Sequence, residues 1–580
     1  MALGLILAGA PAFGACKLSK IAELQVTMSG PNPMVSVKIN GRDAQFIADS
    51  GAFYSSIAPA DAAEYGLKTV PAPFEMRVKG IGGEADARIT TVKTFTLAGV
   101  PLNNIQFIVV GSEPSGVGQL GQNVLGIADV EYDLAGGAIR LMKPKDCERR
   151  AMSYWAGAKA ISVLDISAIG PLSTQTAGTV YVNGAKLRAV FDTGSGVSML
   201  SLAAAARAGI KPGDPGVVAA NSMSGVGQHA VQTWIAPFAS FDIGGEEIRN
   251  TRLRIGNIGI EGIDMLLGAD FFLSHRVYVA NSQHRLYFTY NGGPVFNLDA
   301  KTMARDGAKS APKTSSVLAE PGTEPTGAEG YSRRGAAFAA RRDYDQAIAD
   351  LDRACLMAPT EPRYFYERGL ARFRNQQPLL ALADFNQALK LKPDDVQTLL
   401  MRSELRLAGG DRSDAAADLD VAAQFAPKES QERLLMADRY MELGAFEPAL
   451  AQYGLWIIAH PTDSRMVDAL NGRCWSRALL GKDLDKALGD CNAALRWAPK
   501  GAGILDSRGL VHLRQGDLDK AIADYNAALA LDPKRAWSLY GRGLAKQRKD
   551  LKADGDADIA AAIALQPKLP ELVKQYGVAP

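Results

Sequence analysis

Residues 189–200 read A-V-F-D-T-G-S-G-V-S-M-L: three apolar residues lead to Asp192, then Thr193, Gly194 and Ser195 turn the chain before apolar residues resume. A carboxylate at the end of a buried strand is costly to ionise unless donors or a partner are at hand. The same design recurs at residues 45–57, Q-F-I-A-D-S-G-A-F-Y-S-S-I, around Asp49, Ser50, Gly51 and Ala52. The copies are offset by 143 positions, and that offset also lays Val37 on Val180, Asn40 on Asn183, Gly41 on Gly184, Gly66 on Gly209 and Lys68 on Lys211. G-I-G-G from Gly80 is answered by G-V-G-Q from Gly225, and Q-L-G-Q-N-V-L from Gln119 by L-L-G-A-D-F-F from Leu266. The first half of the chain is one module written twice.

At 580 residues the chain exceeds what one core can hold, and length alone suggests about three or four domains. Its formal charge of +2 gives no electrostatic reason to expect nucleic acid or an anionic membrane as partner. Residues 2–15 are uncharged, apolar and small, too short to span a bilayer, and resemble the apolar region of a secretory signal cleaved near Ala10, Pro11 and Ala12, although the basic leader is missing. Export, to a bacterial periplasm, is the expectation. Of five cysteines, Cys16 and Cys147 bracket the first module copy, which suggests a bridge between its ends; a lipid on Cys16 is the rival, poorly served by Phe13. Cysteine and histidine spacings match no structural metal site, so no metal is expected.

Short alternating apolar runs separated by Gly, Pro and Asn predict two all-β domains, at 16–147 and, after a connector, within 148–292. Tyr154 and Trp155, in the connector, are expected to anchor packing between the domains. Residues 293–327 have linker composition. Helical pattern follows at 328–570, with 571–580 as a tail. Gly335, Ala347, Ala354 and Pro359 recur 34 residues on as Gly369, Ala381, Ala388 and Pro393, and the small residues and proline persist to Ala562 and Pro567, about seven copies in all. A small residue is needed where two helices approach closest, and proline closes the second helix. The period resembles tetratricopeptide (TPR) repeats, a protein-binding solenoid. In that repeat type Cys474 and Cys491 fall where the paired helices face each other, as two buried thiols or, preferred here, a disulfide fitting an oxidising compartment. Cys355 remains the odd cysteine.

The paired motifs resemble retropepsin-like aspartic peptidases, the retroviral and pepsin superfamily. The resemblance implies that D-S-G-A and D-T-G-S are the catalytic loops, that Gly80, Ile81, Gly82 and Gly225, Val226, Gly227 are flap tips, and that Gln119 to Gly121 and Leu266 to Gly268 cross behind the aspartates. Only Gln119 departs from the apolar pattern. It also implies a pepsin-like pseudo-dimer in one chain. Amide hydrolysis with no metal or nucleophilic side chain needs a carboxylate to take a proton from water and a carboxylic acid to give one to the carbonyl oxygen. Two carboxyls roughly 3 Å apart share one proton and titrate as a pair, the part expected of Asp49 and Asp192. Ser50 and Thr193 have hydroxyls short enough to bond across to the opposite loop, while Gly51 and Gly194 allow a tight backbone and supply N–H donors. Glycines let the flap tips fold over a peptide bound as an added strand.

G-V-G-Q-L-G at 116–121 matches a dinucleotide fingerprint, but no helical pattern follows it and no βαβ unit surrounds it, so no cofactor is expected. The expected function is an aspartic endopeptidase acting on a protein or peptide, with the repeat groove taking substrate or a partner protein. The alternative is a non-catalytic scaffold in which the peptidase-like halves hold extended peptides and the repeats assemble partners; a third reading makes each half a half-site that needs a second subunit.

Overall fold

In the first module copy, strands Asn32–Ile39 and Arg42–Ala48 form a hairpin, Ile39 opposite Arg42, so that Asn40 (φ 50°) and Gly41 (φ 87°) make the turn. The second copy repeats it with Asn183 (φ 48°) and Gly184 (φ 79°) between strands Ser173–Val182 and Ala185–Phe191. Positive φ at both central residues is the two-residue turn whose twist suits paired strands, and Asn-Gly adopts it at little cost. The hairpins therefore fix the register of the two strands that end at Asp49 and Asp192.

The computed structural model describes residues 16–73, 78–111, 118–148, 150–170, 173–223, 225–227, 230–296 and 324–578. The expected secretory segment, most of the expected linker, and Gln228 lie outside them. The described residues fold as two units, those up to 359 with 370–377, and 360–369 with those from 378 onward.

The first unit holds both β lobes, joined by a six-stranded antiparallel sheet running Lys17–Ser29, Ala138–Lys145, Asp129–Asp133, His275–Ala280, Arg285–Tyr290 and Ser162–Gly170. The lobes meet in its middle, where Val130 faces Val279 and Tyr132 faces Val277. Also there, fully buried Glu131 bonds Arg140 of its own lobe and Arg276 of the other, each at 2.6 Å. Tyr154 donates to Glu131, Trp155 Nε1 bonds Thr289 Oγ1 at 2.9 Å, and the Arg276 guanidinium lies 4.8 Å over the Trp155 ring. Connector aromatics thus clamp a seam between lobes.

Each lobe adds short helices to its strands: Pro59–Glu64 and Gln122–Leu125 in one, Leu202–Arg207 and Ala269–Ser274 in the other. Val295 and Phe296, expected as linker, pack on the second lobe, with Phe296 5.1 Å from the Phe241 ring. Disulfides join Cys16 to Cys147 and Cys474 to Cys491, and Cys355, in neither bridge, is buried.

Among the described residues seven helix pairs follow, from Ala328–Ala340 with Tyr344–Met357 to Ala536–Arg548 with Lys552–Leu565. The recurring alanines, Ala347 through Ala562, are essentially without solvent exposure. Across most pairs an arginine of the first helix bonds an aspartate of the second, as Arg368 does Asp384 at 2.6 Å and Arg508 does Asp524 at 2.7 Å. The fourth repeat differs: Arg433 is buried and donates to Gln452 Oε1 at 2.6 Å. Residues expected as a tail instead continue helix Leu569–Gln575 and bury Val573 and Val578, because their apolar side chains find a surface in the second unit. Among the described residues no helix is long and apolar enough to cross a membrane.

Candidate active site

Each aspartate loop is held from behind by its crossing segment. Strand Gly118–Leu120 runs parallel to Arg42–Ala48, and Met265–Leu267 parallel to Ala185–Phe191. Asp49 N donates to Leu120 O at 3.0 Å and Asp192 N to Leu267 O at 2.8 Å. A Cβ on Gly121 would strike the backbone of Tyr54 and Ala52, and one on Gly268 that of Ser195 and Val197, so both crossing glycines are required by close approach. Gln119, the polar exception, accepts from Ser56 Oγ at 3.1 Å. The 116–121 stretch enters this strand; residues 116 and 117 lie outside the described set.

The loops mirror one another. Asp49 Oδ1 accepts from the N–H groups of Gly51 (2.8 Å) and Ala52 (2.9 Å), and Asp192 Oδ1 from those of Gly194 and Ser195 (both 3.0 Å). Ser50 N donates to Thr193 Oγ1 and Thr193 N to Ser50 Oγ, both at 3.0 Å. Each hydroxyl then donates onward to the carbonyl preceding the opposite aspartate, Ser50 to Phe191 O (2.8 Å) and Thr193 to Ala48 O (2.6 Å). Ser50 and Thr193 are buried, so these bonds have no solvent competitor.

The two carboxyl groups are brought together at this seam. A methyl on Gly51 would overlap the Asp192 carboxyl group, and one on Gly194 that of Asp49. Each acid therefore lies over the other loop's glycine, and the Asp49 side chain hydrogen-bonds Asp192. Asp49 is buried and Asp192 half-buried, its carboxyl set among the protein groups of the seam. Burial holds the Asp192 carboxyl above the ordinary carboxylate range, opposed by its bonds from Asp49, Ser195 and Gly194.

The flap tips meet and exchange places. Gly227 N donates to Ile81 O at 3.1 Å, and Gly80 would bring a Cβ to 3.1 Å from Val226 Cβ. Ile81, from the first lobe, packs on the second lobe's Ala177, Val190, Met199, Ile258, Ile263 and Leu266. Val226, from the second, packs on Val78, Ile108 and Val110 of the first, beside Phe53 and Tyr54.

A supporting layer escaped the sequence reading. Ser55 Oγ donates to Asn123 Oδ1 (2.8 Å) and accepts from Gly121 N (3.0 Å); Ser198 Oγ donates to Asp270 Oδ1 (2.6 Å) and accepts from Gly268 N (2.9 Å). Ser55 and Ser198 share the 143-residue offset, a signal that could have found them. Gln122 Nε2 also braces Ser50 O at 2.7 Å. Among the described residues no group of three or more His, Cys, Asp or Glu is placed to hold a metal.

The comparisons with known proteins find two kinds of family along the chain. A family model described as aspartyl protease matches residues 35–127 and 178–271, one segment per lobe; models described as tetratricopeptide repeat and TPR repeat match 335–406 and 509–550. The class is a retropepsin-like aspartyl protease fold duplicated in one chain and followed by TPR repeats. A search of curated proteins finds no match. Among solved structures, a tetratricopeptide repeat protein from Parabacteroides merdae is similar at 18% identity, over 43% of this chain and 98% of that one, with a TM-score of 0.32. The TPR domain of P58(IPK) is similar at 19% identity, over 39% and 66%, with a TM-score of 0.20.

Proposed function

We propose that the chain is an aspartic endopeptidase in which Asp49 and Asp192 activate one water. The observation that carries this is the reciprocal seating of the two carboxyl groups, each over the other loop's glycine and each fed by two N–H donors of its own loop. One carboxylate takes a proton from the water as its oxygen attacks the amide carbon, and the other, protonated, gives its proton to the carbonyl oxygen. The tetrahedral diol then collapses, the C–N bond breaks, and the departing nitrogen receives a proton returned through the pair. The Ser50 and Thr193 bonds keep both acids aimed without reorganisation. The flap tips lift to admit a strand and close over it, and the apolar clusters they cover take side chains flanking the cleaved bond.

The TPR array serves recruitment of a protein substrate or partner, in keeping with the protein-binding use of such solenoids. Two disulfides fit an oxidising compartment, and we assign the chain to the exported, periplasmic class on that ground. The test is cleavage of an unfolded protein at mildly acidic pH by the parent chain and by Asp192→Asn. Turnover by the parent and none by the variant is expected; equal turnover overturns the dyad, and peptide binding without turnover by either establishes the scaffold.

A further inference from the structure

Repeat arrays bury their helices nearest neighbour against nearest neighbour, so a helix that only caps the last repeat has no reason to reach further. The segment 569–578 does reach further. Its Tyr576 ring is 5.0 Å from Phe446, in the fourth repeat, and stacks at 6.2 Å on Trp537, in the seventh; Trp537 in turn meets Trp475 of the fifth edge-on at 5.3 Å. Arg514, from the sixth repeat, donates to Tyr576 O and Gly577 O, each at 2.8 Å, and to Leu479 O of the fifth at 2.9 Å. The last carbonyls of a helix otherwise lack partners, so this arginine grips the end of helix Leu569–Gln575. Leu569 and Val573 are buried and Leu572 and Tyr576 half-buried, while Glu571, Lys574 and Gln575 face solvent. The inward positions are i, i+3, i+4 and i+7, the anchor spacing of an amphipathic helix laid into a groove.

We propose that the surface formed by Phe446, Trp475, Arg514 and Trp537 is a helix-in-groove receptor whose resident ligand is 569–578, and that its partner is a short amphipathic helix with the same four anchors, ending in an aromatic residue. The partner displaces the segment, so the groove is masked until a competitor arrives. This rests on the array being a docking module; that reading fails if array variants leave cleavage of protein substrates unchanged, whereas the present inference fails in peptide binding alone.

The probe is a fluorescent synthetic peptide of residues 566–578, titrated by anisotropy into three chains, all carrying Asp192→Asn to prevent cleavage: the otherwise intact chain, one lacking 569–580, and Tyr576→Ala, which keeps Leu569 and Val573 as a cap. A tethered segment competes at an effective concentration on the order of millimolar, so the intact chain should bind at least about tenfold more weakly than either opened chain. Arg514→Ala in the shortened chain should weaken binding again. Equal binding to intact and opened chains overturns the proposal. So does a lack of binding by an opened chain that melts like the intact one, and so does failure of both opened chains to fold, which would make the segment part of the array's core.

Discussion

Ser50 and Thr193, 143 positions apart, exchange hydrogen bonds in both directions: the N–H of each donates to the other's hydroxyl at 3.0 Å. Each hydroxyl in turn donates a hydrogen bond to the carbonyl before the opposite acid. The lobes are thereby locked at the point where their carboxyl groups meet, and the lock is buried. Its register is inherited from the matched Asn-Gly hairpins, so two distant turns set the geometry of one site.

Thr193→Ala removes an acceptor from Ser50 N and a donor from Ala48 O, leaving both groups buried without those bonds. The expected loss of stability is about 2–4 kcal/mol, and kcat/KM should fall by about 10²-fold through misplacement of the acids. Thr193→Ser should recover most of both. Thermal melts and cleavage rates of the two variants check this.

The raised proton affinity of Asp192 dictates how activity depends on pH. Turnover needs one proton on the pair, so kcat/KM should follow a bell, with its alkaline limb above the ordinary aspartate value of about 3.9. The sign for stability is opposite to that of a salt-bridged acid. A folded-state affinity above the unfolded one stabilises at low pH, and that contribution is lost as pH rises through the raised value. Asp192→Asn should therefore abolish cleavage yet melt no lower than the parent at neutral pH.

Asp506, in the TPR array, is raised to about 6 by burial, against the favourable bond from Ser538 and the charge of Arg535. Between about pH 4 and about pH 6 the folded state binds the extra proton, so this residue's contribution falls as pH rises, by at most about 3 kcal/mol. Asp506→Asn should raise the melting temperature of the array at neutral pH, with the difference from the parent closing near pH 4.

Counting thiols in the denatured, unreduced chain should give one, Cys355, and five after reduction. Replacing Cys474 and Cys491 together by alanine opens a 17-residue loop in the fifth repeat and should cost about 3 kcal/mol. Five thiols before reduction would refute both bridges.

What could be read from the sequence was what duplication writes twice. The aspartate loops, the crossing glycines and the flap glycines stand out because the same residue types recur in the same order. The Ser55–Asn123 and Ser198–Asp270 braces did not, since the acceptor is an amide in one copy and an acid in the other, about 70 residues from its serine. The exchange of Ile81 and Val226 was hidden for another reason: each tip finds its apolar neighbours in the opposite copy, which no pattern within one copy discloses. Val295, Phe296 and residues 571–578 looked like linker and tail because a few apolar residues beside Gly and Pro carry no period long enough to announce a packing surface.

The most direct measurement is kcat/KM for Asp49→Asn, Asp192→Asn and the double variant on one unfolded substrate. Groups that act as a unit are not additive, so each single change should lower kcat/KM by at least about 10³-fold and the double no further. A single variant that retains parental activity, or losses that multiply in the double, would contradict a shared water between these two acids.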